Sequence, residues 1–216
     1  YQDLGYHIDI HGGKAHYGVA TFSKRKPIAV EKGFPNDPED AQRRMIITTY
    51  QYGNETIKVL NGYFPQGENR SHPTKFPYKE KFYADLIKYL KEHDLSTRTI
   101  VLGDINISPT DMDIGIGEPN RKRWLREGKS SFLPEEREWL AQMMDTGLID
   151  TYRTINPDVD DRFSWFDYRS KGFDREPKRG LRIDSVFACQ WLNERVVASD
   201  IDYDIRAMER PSDHAP

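Results

Sequence analysis

The chain has 216 residues, 37% hydrophobic and 12% aromatic, enough for one large domain with its own core and too aromatic for a disordered tail. Its 32 Lys and Arg stand against 35 Asp and Glu, a net charge of −3, which excludes a globally basic nucleic-acid binder and leaves room only for a local patch. A single cysteine, Cys189, excludes an internal disulfide framework and a cysteine-based zinc site and fits a reducing, cytoplasmic setting; no apolar run reaches the ~18 residues of a membrane span.

In chain order, the first third alternates short β-like runs with turn signals. Strands are expected at residues 5–10, 18–23, 28–32, 45–50 and 57–64, with Gly12-Gly13 and Gly53-Asn54 as turns. From 79 to 92 the period changes: Phe82, Tyr83, Leu86, Ile87 and Leu90 form one stripe of a helix. A short apolar strand follows at 99–103, then a short helix at 121–126. A second clear helix runs from Pro134 to about 146, stopped by Gly147. Strands close the list at 181–189 and 196–205. No repeat or low-complexity linker interrupts the chain, so residues 1–216 read as one domain. Strands mixed with two long helices, without strict βα alternation, predict an α/β sandwich of two sheets with helices outside.

Five segments carry candidate chemistry. The apolar strand ending Gly103-Asp104-Ile105-Asn106 places a carboxylate and an amide two residues apart. On a strand these share a face and suit a water or a hard metal ion, while a plain turn is the bland alternative. Asp184 lies inside an apolar strand signal, and a buried carboxylate needs a partner: a functional histidine, or a structural arginine such as Arg182 or Arg179. Ser212-Asp213-His214 offers a base, acid or ligand, or else only a surface loop, and Asp184 is a possible orienting carboxylate for His214. Tyr63 ends a strand in Gly62-Tyr63-Phe64-Pro65, either facing a cleft or packing. Finally, residues 162–182 carry seven Lys and Arg against three acids, interleaved with Phe163, Trp165, Phe166, Tyr168 and Phe173. A second basic run comprises Arg121, Lys122, Arg123, Arg126 and Lys129. Such loops suit phosphates and unstacked bases, though a solvated charged face reads the same way.

Taken together, NGYFPQGENR at 61–70, LGDINISPTDMDIGIGEPNRKRWL at 102–125, SFLPEEREWL at 131–140, RFSWFDYRSKGF at 162–173, RGLRID at 179–184 and SDHAP at 212–216 resemble the bacterial exonuclease III type of the endonuclease/exonuclease/phosphatase superfamily. HYGVA at 16–20 and AQRR at 41–44 match as well. The resemblance implies a four-layer α/β sandwich, two packed mixed sheets flanked by helices. It also implies Mg²⁺-dependent (or Mn²⁺-dependent) phosphodiester hydrolysis on double-stranded DNA at abasic sites and 3′ ends, with 3′-phosphatase activity, by a monomer with no membrane association. Carried over residue by residue, Asp104 aligns or deprotonates the attacking water and Asn106 orients it. Asp184 pairs with His214, which contacts the scissile phosphate. Asp104, Asn106 and Asp213 lie at the metal, and Tyr63 approaches the phosphate. Arg44 contacts DNA, and Trp165, Phe166 and Leu181 line the pocket for an extruded abasic sugar. The family also has an N-terminal strand bearing an Asn, a later Glu that binds the metal, and a strand after SDHAP. None is found here, so the domain is expected to be truncated at both ends. Two alternatives are a phosphatase of small or lipid phosphoesters on the same fold and a non-catalytic DNA-binding module. The basic-aromatic loop speaks against the first.

Overall fold

Two β-sheets organise the chain in the computed structural model, which describes residues 1–13, 16–93 and 98–216. β1 (His7–Gly12) and β2 (Gly18–Ser23) form an antiparallel hairpin. The larger sheet has the order β3 (Ala29–Lys32), β4 (Met45–Tyr52), β5 (Glu55–Tyr63), β6 (Thr99–Asp104), β8 (Asp184–Cys189) and β7 (Leu148–Asp150). Only β5 and β6 are parallel, because a helical crossover joins them. The hairpin lies against β4 and β5, where the Asn61 side chain donates to the Ala20 carbonyl at 3.0 Å.

The core follows from register. Ile47, Leu60, Val101 and Phe187 stand directly opposite one another across four strands, and all four are fully buried. Helix α1 (Lys75–Glu92) covers this row with Phe82, Tyr83, Leu86, Ile87 and Leu90, the stripe expected from the sequence. It begins one turn earlier than expected, since Pro77 is tolerated in a first turn, where its missing N–H has no intrahelical partner to lose. Helix α2 (Glu118–Glu127) extends the predicted short helix, with Gly128 at φ 69 ending it. Helix α3 (Pro134–Met144) starts on the expected proline and buries Leu140 and Met143 against α1. This is the expected α/β sandwich of two sheets with flanking helices.

Two expectations at the C-terminal end are corrected. Residues 196–205 are not a strand: Asp202 accepts the Ile205 N–H at 2.9 Å and so caps a short helix, α6 (Tyr203–Arg206), while Val197 is 94% exposed. Residues 181–183 precede β8 rather than belonging to it, and Leu181 instead bridges Trp165 and Ile114. β7 and the short helices α4 (Thr151–Ile155) and α5 (Gln190–Asn193) had no expectation. Among the described residues, no helix is long and apolar enough to cross a membrane.

Candidate active site

The site forms where β5, β6 and β8 end side by side. Tyr63 and Asp104 are register neighbours on parallel strands, and Asp104 stands opposite Asp184 on the antiparallel side. Gly62 and Gly103 make this closeness possible. Gly103 has φ 131, and a Cβ there would lie 1.9 Å from the Gly62 carbonyl oxygen, so only glycine fits.

Asp104 and Asn106 meet, but not as alternate residues of one strand. β6 ends at Asp104, and Asn106 has φ 54, the left-handed region that Asn tolerates better than most residues. That turn folds Asn106 back on the carboxylate. Its backbone N–H donates to Asp104 Oδ1 at 3.0 Å and its Nδ2 to Asp104 Oδ2 at 2.9 Å. The same Nδ2 donates to the Phe64 carbonyl at 2.9 Å.

Asp184 takes His214 as its partner. His214 Nδ1 lies 2.8 Å from Asp184 Oδ2, both side chains about 30% exposed. The arginine alternative fails because Arg182 is occupied elsewhere. Its Nε donates to Asp113 Oδ1 and its Nη2 to Asp150 Oδ2, each at 2.6 Å, in a buried network that binds the Asp111–Asp113 turn to β7. Ser164 Oγ fixes Asp184 from behind by accepting both the Ile183 and Asp184 N–H groups at 2.9 Å. Trp165 pairs through its backbone with Leu181 and with His214, which brings the SDHAP segment to the site.

The electrostatics follow from crowding. Burial pushes the Asp104 carboxyl up and the Asp184 carboxylate pushes it further. These outweigh His214, the Asn106 N–H and Lys79, so it rises to about 7. Burial alone would lower His214, but the hydrogen bond and charge of Asp184, with Asp104 and Asp213, outweigh it and push the imidazole up to about 9. The site thus holds a carboxyl poised near neutrality beside a stable imidazolium. Two carboxylates that crowd one another also suit a hard divalent cation. Ligand atoms of Asp104, Asp184 and His214 all lie within 4.8 Å of one another. Asp184 thus stands with Asp104 at this cluster, and Asp213 Oδ2 accepts the Trp165 indole N–H at 3.1 Å.

The expected DNA-contacting residues divide. Trp165 is partly exposed, and its backbone pairs with that of His214. Phe166 has no exposed surface. Its ring packs edge-on against Phe173 and Tyr203, so the loop aromatic that seemed to need a nucleic-acid partner has a core instead. Leu181 is 1% exposed, packed among Ile116, Phe132 and Ile183 beneath Trp165, and supports the wall rather than forming it. Arg44 is also buried. Its guanidinium lies 3.8 Å from the Tyr17 ring centre and 4.7 Å from that of Tyr63, and donates to the Tyr63 carbonyl at 3.1 Å. It braces Tyr63, whose own side chain remains exposed. Sequence reasoning missed Ser164 and Tyr17. The only available signals were a small polar residue between aromatics and the HYGVA match.

A model of the Endonuclease/Exonuclease/phosphatase family matches residues 1–214. Exodeoxyribonuclease III of Haemophilus influenzae is 59% identical over 216 residues, which is 100% of this chain and 80% of that protein. A solved 3′ phosphatase from Neisseria, bound to a product DNA hairpin, matches with a TM-score of 0.87 at 34% identity, covering 99% of this chain and 78% of that one. An AP endonuclease from Archaeoglobus fulgidus gives 0.86 at 30% identity with the same coverage. The chain belongs to the endonuclease/exonuclease/phosphatase family and groups within it with the exodeoxyribonuclease III type.

Proposed function

We propose that the protein is a DNA-repair nuclease that hydrolyses phosphodiester bonds at abasic sites and at 3′ ends of duplex DNA and removes 3′ phosphates. One observation carries this reading: a carboxyl pushed up to about 7 stands opposite a carboxylate–imidazolium pair at the ends of three adjacent strands. The relatives' names support the substrate. They are an exodeoxyribonuclease III, an AP endonuclease and a 3′ phosphatase bound to a DNA product. Residues drawn from position 44 to position 214 converge on this one site, as a single domain would require.

In the proposed reaction Asp104 accepts the proton of the attacking water, with Asn106 fixing the carboxylate's orientation. His214, charged near neutral pH, donates to a non-bridging phosphate oxygen, and Asp184 holds its ring by Nδ1. Tyr63 stands at the mouth of the site, within reach of the phosphate or leaving group. Trp165 walls a pocket that accepts a bare sugar and excludes one carrying a base. Asp104 and Asp184 are the residues that would hold a divalent ion, with Asn106 beside them; Mg²⁺ there would neutralise charge developing on phosphate oxygens. The test uses three duplexes, one abasic, one 3′-phosphorylated and one intact and blunt-ended, each with Mg²⁺ and with EDTA. Metal-dependent turnover of all three supports the reading. Turnover only of a small phosphoester would favour the phosphatase alternative, and binding without turnover would favour a non-catalytic module.

A further inference from the structure

Lys79 lies on the buried stripe of α1, one turn before Tyr83, where an apolar residue would be expected. Neither Lys79 nor its partner Glu136 on α3 has any exposed side-chain surface, and their charged atoms are 2.6 Å apart. A buried ion pair of this kind is seldom the most stable filling of a core, since apolar residues of similar volume often do as well or better. The ammonium's other partners suggest what it does. It donates to the Asn106 carbonyl at 2.8 Å, to Ser130 Oγ at 3.0 Å and to the Gln66 carbonyl at 3.3 Å. These acceptors lie on three separate loops: the one that follows Tyr63 at the end of β5, the one after β6 that holds Asn106, and the one leading into α3. Tyr83 adds a second contact from the same helix face, donating to the Ile105 carbonyl at 2.7 Å. Glu136 holds the arrangement from the other side, accepting the Ser131 and Leu133 N–H groups, each at 2.8 Å.

We propose that Lys79, held in place by Glu136, is a positioning residue for hydrolysis: its ammonium clamps the loops after β5 and β6 and keeps Asn106 in the left-handed turn that aims two N–H donors at Asp104. The inference rests on the reading of Asp104 and Asn106 as the pair that handles water. The Lys79 side chain has no exposed surface. It acts through the Asn106 carbonyl, and its charge also opposes the rise of the Asp104 carboxyl.

The test separates positioning from stability. Lys79→Met/Glu136→Gln removes both charges of this pair together, and the glutamine Oε1 still accepts the N–H groups that cap α3. This variant should melt close to the wild type, keep its KM for a 3′-ended duplex, and lose 10–100-fold in kcat, roughly the cost of removing a supporting partner behind a reactive centre. A purely structural pair would recover kcat together with the melting temperature, and wild-type kcat in the folded double variant overturns the proposal. Should that variant fail to fold, Lys79→Arg decides. It keeps the charge beside Glu136, but a planar guanidinium cannot reach all three loops as an ammonium does. A reduced kcat at unchanged KM supports the clamp, and wild-type kcat overturns it. Asp104→Asn, assayed alongside, keeps the two ideas apart. If Asp104→Asn remains active, the reading of the site has failed. If it is inactive while the Lys79 variants turn over normally, only the clamp has failed.

Discussion

Replacing Asp184 with asparagine keeps the size of the side chain and removes the charge beside His214 Nδ1. In the wild type that charge, with its hydrogen bond, outweighs the burial that would lower the imidazole, and lifts it from the ordinary 6.5 to about 9. A rise of this size corresponds to roughly 3 kcal/mol of extra preference for the charged form. The sign follows from linkage. A group raised in the fold adds stability that is fully present below 6.5 and is lost as the pH rises through about 9. Asp184→Asn should therefore lower the melting temperature most at pH 6, by up to about 6–12 °C for a chain of this size, and hardly at all above pH 9. The direct assay is a proton NMR titration of the ring signals, with His214→Gln used to assign the resonance. The wild-type His214 should titrate near 9, and in Asp184→Asn it should fall toward 6.5. A wild-type value near 6.5, or a value unmoved by the substitution, would refute the pairing as the source of the charge.

Asp104→Asn should keep DNA binding and lose about 10²–10⁴-fold in kcat, the usual worth of a general base, and near-normal turnover would remove Asp104 from the chemistry. Because the Asp104 carboxyl is pushed up from 3.8 to about 7, the fold favours its neutral form and loses stability as the pH rises across that window. In metal-free protein at pH 8, Asp104→Asn should therefore melt higher than the wild type. Arg182→Met leaves Asp113 with Arg153 as its cation and Asp150 with backbone N–H donors alone, and should cost about 3–5 kcal/mol in urea denaturation, whereas a loss below about 1 kcal/mol would show that the network is not a structural brace. Trp165→Ala should narrow the preference for abasic over intact duplex more than it lowers 3′-phosphate removal; equal losses with a much lower melting temperature would make Trp165 a packing residue.

The sequence made visible what local pattern controls. The stripe of α1 is a helical period, and the strand ending in Asp104 is an apolar run stopped by a carboxylate, so both could be placed without tertiary information. Partnerships formed across the chain were visible only in part. Asp184 left two readings open, a nearby arginine or the distant His214, and the structure takes the histidine, 30 residues away; that Arg182 reaches back 69 residues to Asp113 had no local signal. Phe166 looked like an exposed loop aromatic because nothing local announces Phe173 and Tyr203 as its neighbours. Alternation misled at 196–205, where Asp202 caps a helix instead of facing solvent from a strand. Lys79 was hidden for the opposite reason. A lysine near a helix start reads as a solvated residue until three loops and a glutamate are found converging on it.

If Asp184 and His214 act as one unit beside Asp104, a double-mutant cycle on kcat will show it. Asp184→Asn, His214→Gln and the double variant are assayed on one abasic duplex with Mg²⁺. Residues acting through a single hydrogen-bonded pair should give three losses of similar size, because breaking the pair from either side removes the same function. A double variant whose loss equals the product of the two single losses would show two independent residues and contradict the account.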